Sequence, residues 1–309
     1  SLGTRSYMNT KYSNCSVVLP AYNEEESIGP LLEEIISLSL FGEIIVVNDC
    51  STDSTKQVVQ RFSQVTLVNN HVNLGNGASV RKGMATATGD YLVLLDADGQ
   101  HPPKTIKRLV DYAIKCEYDL VVASRKANKN VSMFRSFGNR LLEAFAWYIT
   151  GEKIEDLTSG FRVFRRSSVM KIVHLFPQRY SYPTTSILGM LALGYSVGYL
   201  AIPEIKARAK GESGINPFKD FFRFLKIMIR LSIVFAPAKI FLPFAFFIFS
   251  LGLIDIGITL YFFRNIQELG VLLIILSFII SVFAVFGEQL SRIRIEIGMV
   301  VANEIEDRS

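Results

Sequence analysis

Asp96 and Asp98 stand two residues apart, directly after the apolar run 91–95. In an extended segment side chains at that spacing point the same way. Two adjacent carboxylates repel unless a cation or an array of donors lies between them. Mg²⁺ or Mn²⁺ shared with a nucleotide diphosphate relieves the repulsion, with the carboxylates on the metal and the metal on the phosphates. Asp96, Ala97 and Asp98 are therefore read as a ligand-binding segment, and Gln100 adds a neutral oxygen to the metal set Asp96, Asp98, Gln100. A solvated acidic turn is the plain alternative. Asp49 follows the apolar run 44–47, where a carboxylate suits a ribose or a base. Asp53, four residues later, is placed to cap the next helix. Pro20, Tyr22 and Glu24 close the first apolar run. The tyrosine ring offers a face to a nucleobase and the glutamate accepts hydrogen bonds from it; without a ligand, the same residues read as a strand-to-helix turn with an acidic first helical turn.

The elements that must position these groups follow from the pattern around them. Short β-branched runs at 15–19, 43–48, 65–69, 91–95 and 119–123 alternate with helical stretches at 24–39, 53–63, 77–86 and 103–115. Near-continuous apolar strands separated by helices predict an α/β fold, a doubly wound and mostly parallel sheet covered on both faces. Ligands of such sheets bind beyond the carboxyl ends of the strands. That rule selects residues 20–24, 48–53, 96–100 and 124–125. Farther on, 126–132 reads as a polar loop, 134–150 and 184–193 as helices, and 161–164 and 197–202 as strands.

The chain of 309 residues carries a net charge of +5, and half of its residues are apolar. The apolar residues concentrate at the back. Residues 240–263 and 269–287 are each long enough to cross about 30 Å of hydrocarbon, and Arg264, Asn265, Gln267 and Glu268 form a polar turn between them. Asp255, inside the first span, is expected to face another helix, since an ionisable group in lipid is costly. Ahead of the spans, Lys219, Arg223, Lys226 and Arg230 recur at helical spacing among aromatic and aliphatic residues in 216–236. That pattern predicts a helix lying in the membrane interface. The basic excess therefore points to anionic headgroups rather than nucleic acid. With Arg292 and Arg294, it places both termini and the soluble domain on the cytoplasmic side. Cys15, Cys50 and Cys116 form no Cys-x-x-Cys pair and read as reduced thiols. The expected organisation is a tail 1–12, a catalytic domain 13–214, a juxtamembrane helix 215–237, two transmembrane helices within 238–290, and a tail 291–309.

Leu-Pro-Ala-Tyr-Asn-Glu-Glu, Val-Asn-Asp-Cys-Ser-Thr-Asp-Ser-Thr, Asp-Ala-Asp-Gly-Gln and Asp-Leu-Thr-Ser-Gly-Phe-Arg, the last at 156–162, occur in that order. Together they resemble the inverting GT-A glycosyltransferases of family 2, in the polyprenyl-phosphate branch of dolichyl-phosphate mannose synthases and bactoprenyl-phosphate glucosyltransferases. The resemblance covers residues 13–213 and implies a GT-A fold. It implies that Pro20, Tyr22, Glu24 and Asp49 line a nucleotide pocket and that Asp96, Asp98 and Gln100 hold the metal. Arg125 would reach donor or acceptor phosphates, and Arg135 would reach the lipid phosphate. Arg208 and Ser213, in Arg-x-x-Gly-x-Ser, would close a loop over the acceptor. Asn139 and Gly214 stand where the family usually has serine and lysine. Asp156 would face the acceptor and orient it or an arginine; with Asp98 and Arg125 it makes up the implied catalytic set.

The implied reaction is inverting transfer of a hexose, mannose or glucose, from a nucleotide-diphosphate sugar (GDP-mannose or UDP-glucose) to polyprenyl or dolichyl phosphate. The lipid monophosphate is already a nucleophilic anion, so arginines and metal serve to position it and neutralise charge. A processive polysaccharide synthase would carry Gln-x-x-Arg-Trp, whereas the single tryptophan here is Trp147 in Phe-Ala-Trp-Tyr. A non-catalytic membrane scaffold with a nucleotide-binding fold is the rival of another class. The expected partners are the nucleotide sugar, the lipid phosphate and the bilayer; a homo-oligomer is compatible with the sequence, which sets no copy number.

Overall fold

The computed structural model describes residues 12–99, 101–124, 144–178, 182–203, 222, 225, 226, 229, 230 and 232–306. The chain divides into two compact units, Ser1–Phe221 and Phe222–Ser309.

The first unit is built on strands β1 (Cys15–Ala21), β2 (Glu43–Asn48), β3 (Val65–Asn69), β4 (Tyr91–Leu94), β5 (Leu120–Ser124), β6 (Arg162–Arg165) and β7 (Val197–Ala201). They form one sheet in the order β3-β2-β1-β4-β6-β5-β7. β1, β2, β3 and β4 pair in parallel, as do β5 and β7. β6 is antiparallel to both of its neighbours, with Arg162 opposite Leu94 on one side and Val122 on the other. All seven expected strands are present.

Helix α1 (Ile28–Ser37) buries Ile28, Leu31, Leu32 and Ile35, one face at i, i+3, i+4, i+7. The helix Ile106–Lys115 does the same with Ile106, Leu109, Val110 and Ala113. Both join Val17, Leu19, Val93, Val121 and Val163 in the main core. Between them in sequence come α2 (Thr55–Val59) and α3 (Asn76–Thr86), so Ile106–Lys115 is α4. α3 packs on β1 and β2 with Val80 and Met84 fully buried. Helices on both faces explain why β1 is buried along nearly its whole length. α5 (Arg166–Val169) and α6 (Tyr182–Ala192) complete the unit, and residues 144–150 are also helical.

One expected boundary moves. Tyr12, assigned above to an N-terminal tail, is buried in the core, and its hydroxyl donates to Asp111 Oδ1 at 2.6 Å. A ring of that size is held by the area it buries, which a tail reading overlooks.

The second unit is a hairpin of α7 (Pro237–Phe263) and α8 (Glu268–Glu306). Pro237–Phe263 and Glu268–Gly298 are long and apolar enough to cross a membrane, their most apolar 18-residue stretches having mean hydropathies of 2.1 and 3.0. Arg264, at φ 50°, ends α7 in the left-handed conformation and turns the chain. Gly252 and Gly270 let the two backbones meet: a Cβ on Gly270 would lie 2.5 Å from Ile256 Cγ1 and 3.0 Å from Gly252 O. The same Cβ would be 2.9 Å from Asp255 Oδ2, so the Asp255 carboxylate faces α8, as the cost of a lipid-facing charge requires. α8 runs on to Glu306, through most of the expected C-terminal tail 291–309. Residues 288–306 contain no proline and one glycine, so nothing stops the helix after the apolar stretch. Before α7, residues 232–235 are helical, and Ser291 Oγ donates to Val234 O. Lys226 and Arg230 are helical too; Lys219 and Arg223 lie outside the described residues.

Candidate functional site

At the carboxyl edge of the sheet a cleft of about 280 Å³ is lined from three strand ends and one helix start. β1 contributes Pro20 and Ala21, with Tyr22 and Glu24 just beyond; β2 is followed by Asp49, and β4 by Asp96, Ala97 and Asp98. Asn76 and Ser79 complete it from the first turn of α3. Another cavity, about 320 Å³ and lined by residues including Tyr118, Lys153 and Tyr199, holds none of the site residues chosen from sequence.

The loops after β1 and β2 are laced together. Asn23 adopts φ 55°, its N–H donates to Ser51 Oγ at 3.1 Å, and its Oδ1 accepts from Thr52 N at 2.8 Å. Glu24 N donates to Thr55 Oγ1 at 2.8 Å, and Ser54 N to Glu25 Oε2 at 2.8 Å. The N-cap position of α2 falls on Ser54 rather than on Asp53, the expected cap. Asp53 sits one residue earlier, its Oδ1 accepting from Thr55 N at 2.9 Å and its Oδ2 reaching across to Glu25 N at 3.1 Å. Burial works to raise its pKa, but these hydrogen bonds together with the Thr55 hydroxyl outweigh it and lower the pKa below 3.8.

Asp49 is buried against a loop of its own chain. Oδ1 accepts from Asn70 Nδ2 at 2.8 Å and Leu74 N at 3.0 Å, and Oδ2 from Gly75 N at 2.7 Å. A carboxylate offers about four lone-pair sites, so little of Asp49 is left for a ligand although it lines the cleft. Asn70 also donates to Ser79 Oγ at 3.1 Å and accepts from Lys82 Nζ at 3.1 Å. This chain of bonds sets the start of α3 in the cleft wall.

Asp96 is seated differently. Its Oδ2 lies 3.8 Å from Nε2 of the buried His101, whose ring is 5.2 Å from Phe161. A Cβ built on Gly160 would sit 2.1 Å from that same Oδ2. Only glycine lets the 156–161 loop press so close. Asp156, outside the cleft lining, shapes this loop: its Oδ1 accepts from Thr158 N and Ser159 N, both at 3.0 Å. Arg162, fully buried, binds the loop from beneath through Nε to Ser159 O at 2.6 Å. Burial pulls its pKa down to about 10, with Tyr182, Asp156, Tyr199 and Asp96 opposing, so it stays a cation at neutral pH.

Asp96 and Asp98 offer hard oxygen donors, which suit a divalent cation. Among the described residues no three His, Cys, Asp or Glu side chains converge on one point. A cation here would therefore complete its shell with water, a diphosphate, or Gln100. Gln100, Arg125, Arg135, Arg208 and Ser213 lie outside the described residues.

Residues 16–173 match the model of glycosyl transferase family 2. The chain belongs to that family. Residues 236–293 match a second model, the GtrB C-terminal hairpin. The family 2 chain is 34% identical over 170 residues to the undecaprenyl-phosphate 4-deoxy-4-formamido-L-arabinose transferase of Pectobacterium carotovorum, covering 52% of this chain and 51% of that protein. It is 29% identical over 229 residues to the dodecaprenyl-phosphate galacturonate synthase of Rhizobium johnstonii, covering 71% of this chain and 66% of that protein. The chain thus spans about half the length of the first of these relatives and two thirds of the other. Among solved structures, glucosyl-3-phosphoglycerate synthase from Mycobacterium tuberculosis, in complex with phosphoglyceric acid, superposes with a TM-score of 0.57. That match has 22% identity and covers 73% of this chain and 83% of that one. The same enzyme with Mn²⁺ and UDP-glucose gives a TM-score of 0.54, 21% identity, and coverage of 72% and 81%. These structural matches establish the fold, a GT-A sheet.

Several residues in and around the cleft were not named as site residues from the sequence. Asn76 and Ser79 follow the third parallel strand, whose carboxyl end obeys the same rule as the others and carries a Gly75-Asn76-Gly77 signal. Arg162 carried a signal as well, a charge within the apolar run 161–164. Gly160 lies in the Asp-Leu-Thr-Ser-Gly-Phe-Arg motif, although its contact with Asp96 is not readable there; Tyr182 had no signal that a single sequence exposes.

Proposed function

We propose that this chain transfers one sugar from a nucleoside diphosphate sugar to a polyprenyl phosphate at the membrane surface. The observation that carries the reading is the cleft, which joins Tyr22, Glu24 and Asp49 on one side to Asp96 and Asp98 on the other, in a chain that ends in two membrane-length helices. Asp96 and Asp98, with Gln100, would hold Mg²⁺ or Mn²⁺, whose charge would offset that of the donor diphosphate and of the leaving group. Pro20, Tyr22 and Glu24 receive the nucleoside, together with Asn76 and Ser79. Arg125, Arg135, Arg208 and Ser213 hold the phosphates, and Asp156 orders the acceptor loop.

An oxygen of the lipid phosphate attacks the anomeric carbon, and the bond from that carbon to the diphosphate breaks. The nucleoside diphosphate departs with the electron pair, and the configuration inverts. No proton has to be removed from the nucleophile, which explains why the site needs cations more than a strong base. The basic flank and Arg292 with Arg294 support a cytoplasmic side for the catalytic unit and both termini. Relatives named for undecaprenyl- and dodecaprenyl-phosphate products support the acceptor class, and a fold shared with a UDP-glucose complex supports a UDP sugar as donor. The sugars in those names, a formamido-arabinose and a galacturonate, differ from mannose and glucose, so the panel must reach beyond hexoses.

The test is a set of labelled UDP- and GDP-sugars offered with undecaprenyl, dodecaprenyl and dolichyl phosphate in liposomes. Lipid-extractable label with one donor, dependent on divalent metal, is the expected result. No turnover with any donor, neither transfer nor hydrolysis, would favour the scaffold reading; label released only as free sugar would keep an enzyme but overturn the polyprenyl phosphate acceptor.

A further inference from the structure

We propose that Arg162 and Tyr182 clamp the 157–160 loop so that Gly160 is seated against Asp96, which makes Arg162 a positioning residue for the Asp96–Asp98 pair. The inference rests on the reading that this pair binds a nucleoside diphosphate through a divalent cation.

Three carbonyls of the loop are gripped by side chains. Arg162 Nε donates to Ser159 O at 2.6 Å and Nη2 to Leu157 O at 3.4 Å. Tyr182 Oη donates to Gly160 O at 3.3 Å, and Thr184 Oγ1 to Leu157 O at 3.3 Å. The guanidinium is itself anchored to the start of α6, donating from Nη1 to Pro183 O at 2.5 Å and Ser186 Oγ at 2.7 Å. A fully buried guanidinium spending its donors on neutral oxygens is an expensive way to hold a loop. A lysine could not reach these points in one plane. The position of the charge accounts for the choice. The loop it holds abuts Asp96 with no room for a methyl group, so the clamp fixes the carboxylate's rotamer and sets a cation behind it. Burial and the neighbouring Asp96 charge also push the Tyr182 phenol up, keeping it a donor at neutral pH.

The test uses the full chain in lipid nanodiscs, with Mn²⁺ alone and Mn²⁺ plus UDP or GDP as probes, read by electron paramagnetic resonance. Wild type should bind Mn²⁺ with at least one nucleotide, and Asp98→Ala should not; failure here sinks the metal reading itself. Given that control, Gly160→Ala should weaken Mn²⁺ binding about tenfold or more, the scale of a lost supporting shell around metal ligands. Arg162→Lys should weaken it too, with kcat falling while KM for the lipid is held. Circular dichroism identifies any variant that does not fold. Gly160→Ala leaves both clamp residues in place and decides the matter; should it not fold, Tyr182→Phe, which removes one hydroxyl, takes its place. Wild-type Mn²⁺ affinity and an unchanged hyperfine spectrum in the deciding variant overturn the proposal.

Discussion

Asp49 accepts the backbone N–H of Gly75 at 2.7 Å across a sequence separation of 26 residues, and with the Leu74 N–H and the Asn70 amide it is bonded three times over. A carboxylate accepts on both oxygens, whereas a carboxamide must turn an NH₂ toward one set of these donors. Asp49→Asn should therefore cost about 1–3 kcal/mol, the penalty of leaving a buried donor unpaired. Thermal or urea melting measures it, and binding of the donor nucleotide should weaken in parallel because Asn76 and Ser79 hang on the same loop. Unchanged melting with weakened nucleotide binding would return Asp49 to a purely ligand-facing role.

Asp98→Ala is expected to abolish transfer while leaving the melting temperature within a few degrees of wild type. The side chain stands on the cleft wall beyond β4, not in the core. Activity and melting should be taken on the same preparation. Near-normal turnover with Mg²⁺ or Mn²⁺ would remove the metal assignment.

Asp119 sets an acid limit on stability. Burial works to raise its pKa, but hydrogen bonds from Ser168 and Ser196 and the Arg165 guanidinium hold it below 3.8. Ser168 Oγ lies 2.6 Å from Oδ1 and Ser196 Oγ 2.9 Å from Oδ2. With the folded value depressed, the stabilisation is fully present above the ordinary carboxylate pKa and is lost as pH falls through the folded one. Asp53 adds to the same window. Unfolding free energy should therefore drop as pH falls below the ordinary carboxylate range, and Asp119→Asn should be less stable at neutral pH with a shallower acid slope. A variant with the wild-type slope would show that other carboxylates dominate.

Gly270→Leu should force α7 and α8 apart, since the new side chain begins 3.0 Å from the Gly252 carbonyl. Overpacking of this kind costs about 1–3 kcal/mol. In nanodiscs the heat-aggregation temperature should fall while nucleotide binding by the catalytic unit is retained. Loss of both together would show that the two units depend on each other for folding.

The sheet was legible because its strands are apolar on both faces and separated by amphipathic helices; Ile28, Leu31, Leu32 and Ile35 alone declare α1. That Tyr22, Glu24, Asp49, Asp96 and Asp98 line one cleft was legible because the end of a parallel strand is a place that sequence can name. What lay hidden was the support. Asp49 looks the same in sequence whether its oxygens meet a ribose or Gly75, and no local pattern announces that Gly160 must fit against a residue 64 positions earlier. α8 outruns its apolar stretch because apolar windows end where hydropathy ends, while helices end at a stop signal, and no proline interrupts α8 before Glu306.

The antiparallel strand β6 has a consequence for how the molecule comes to be. It is wedged between β4 and β5, yet it follows both in the chain, so Leu94 meets its partner Arg162 only after the intervening polypeptide has closed on itself. β1 to β4 can zip together in sequence; the wedge cannot, and contacts that close long loops form slowly. Gly160 and Arg162 arrive with that wedge. The cleft wall at Tyr22 and Asp49 thus rests on neighbouring strands, while the floor under Asp96 rests on a strand that returns from far along the chain.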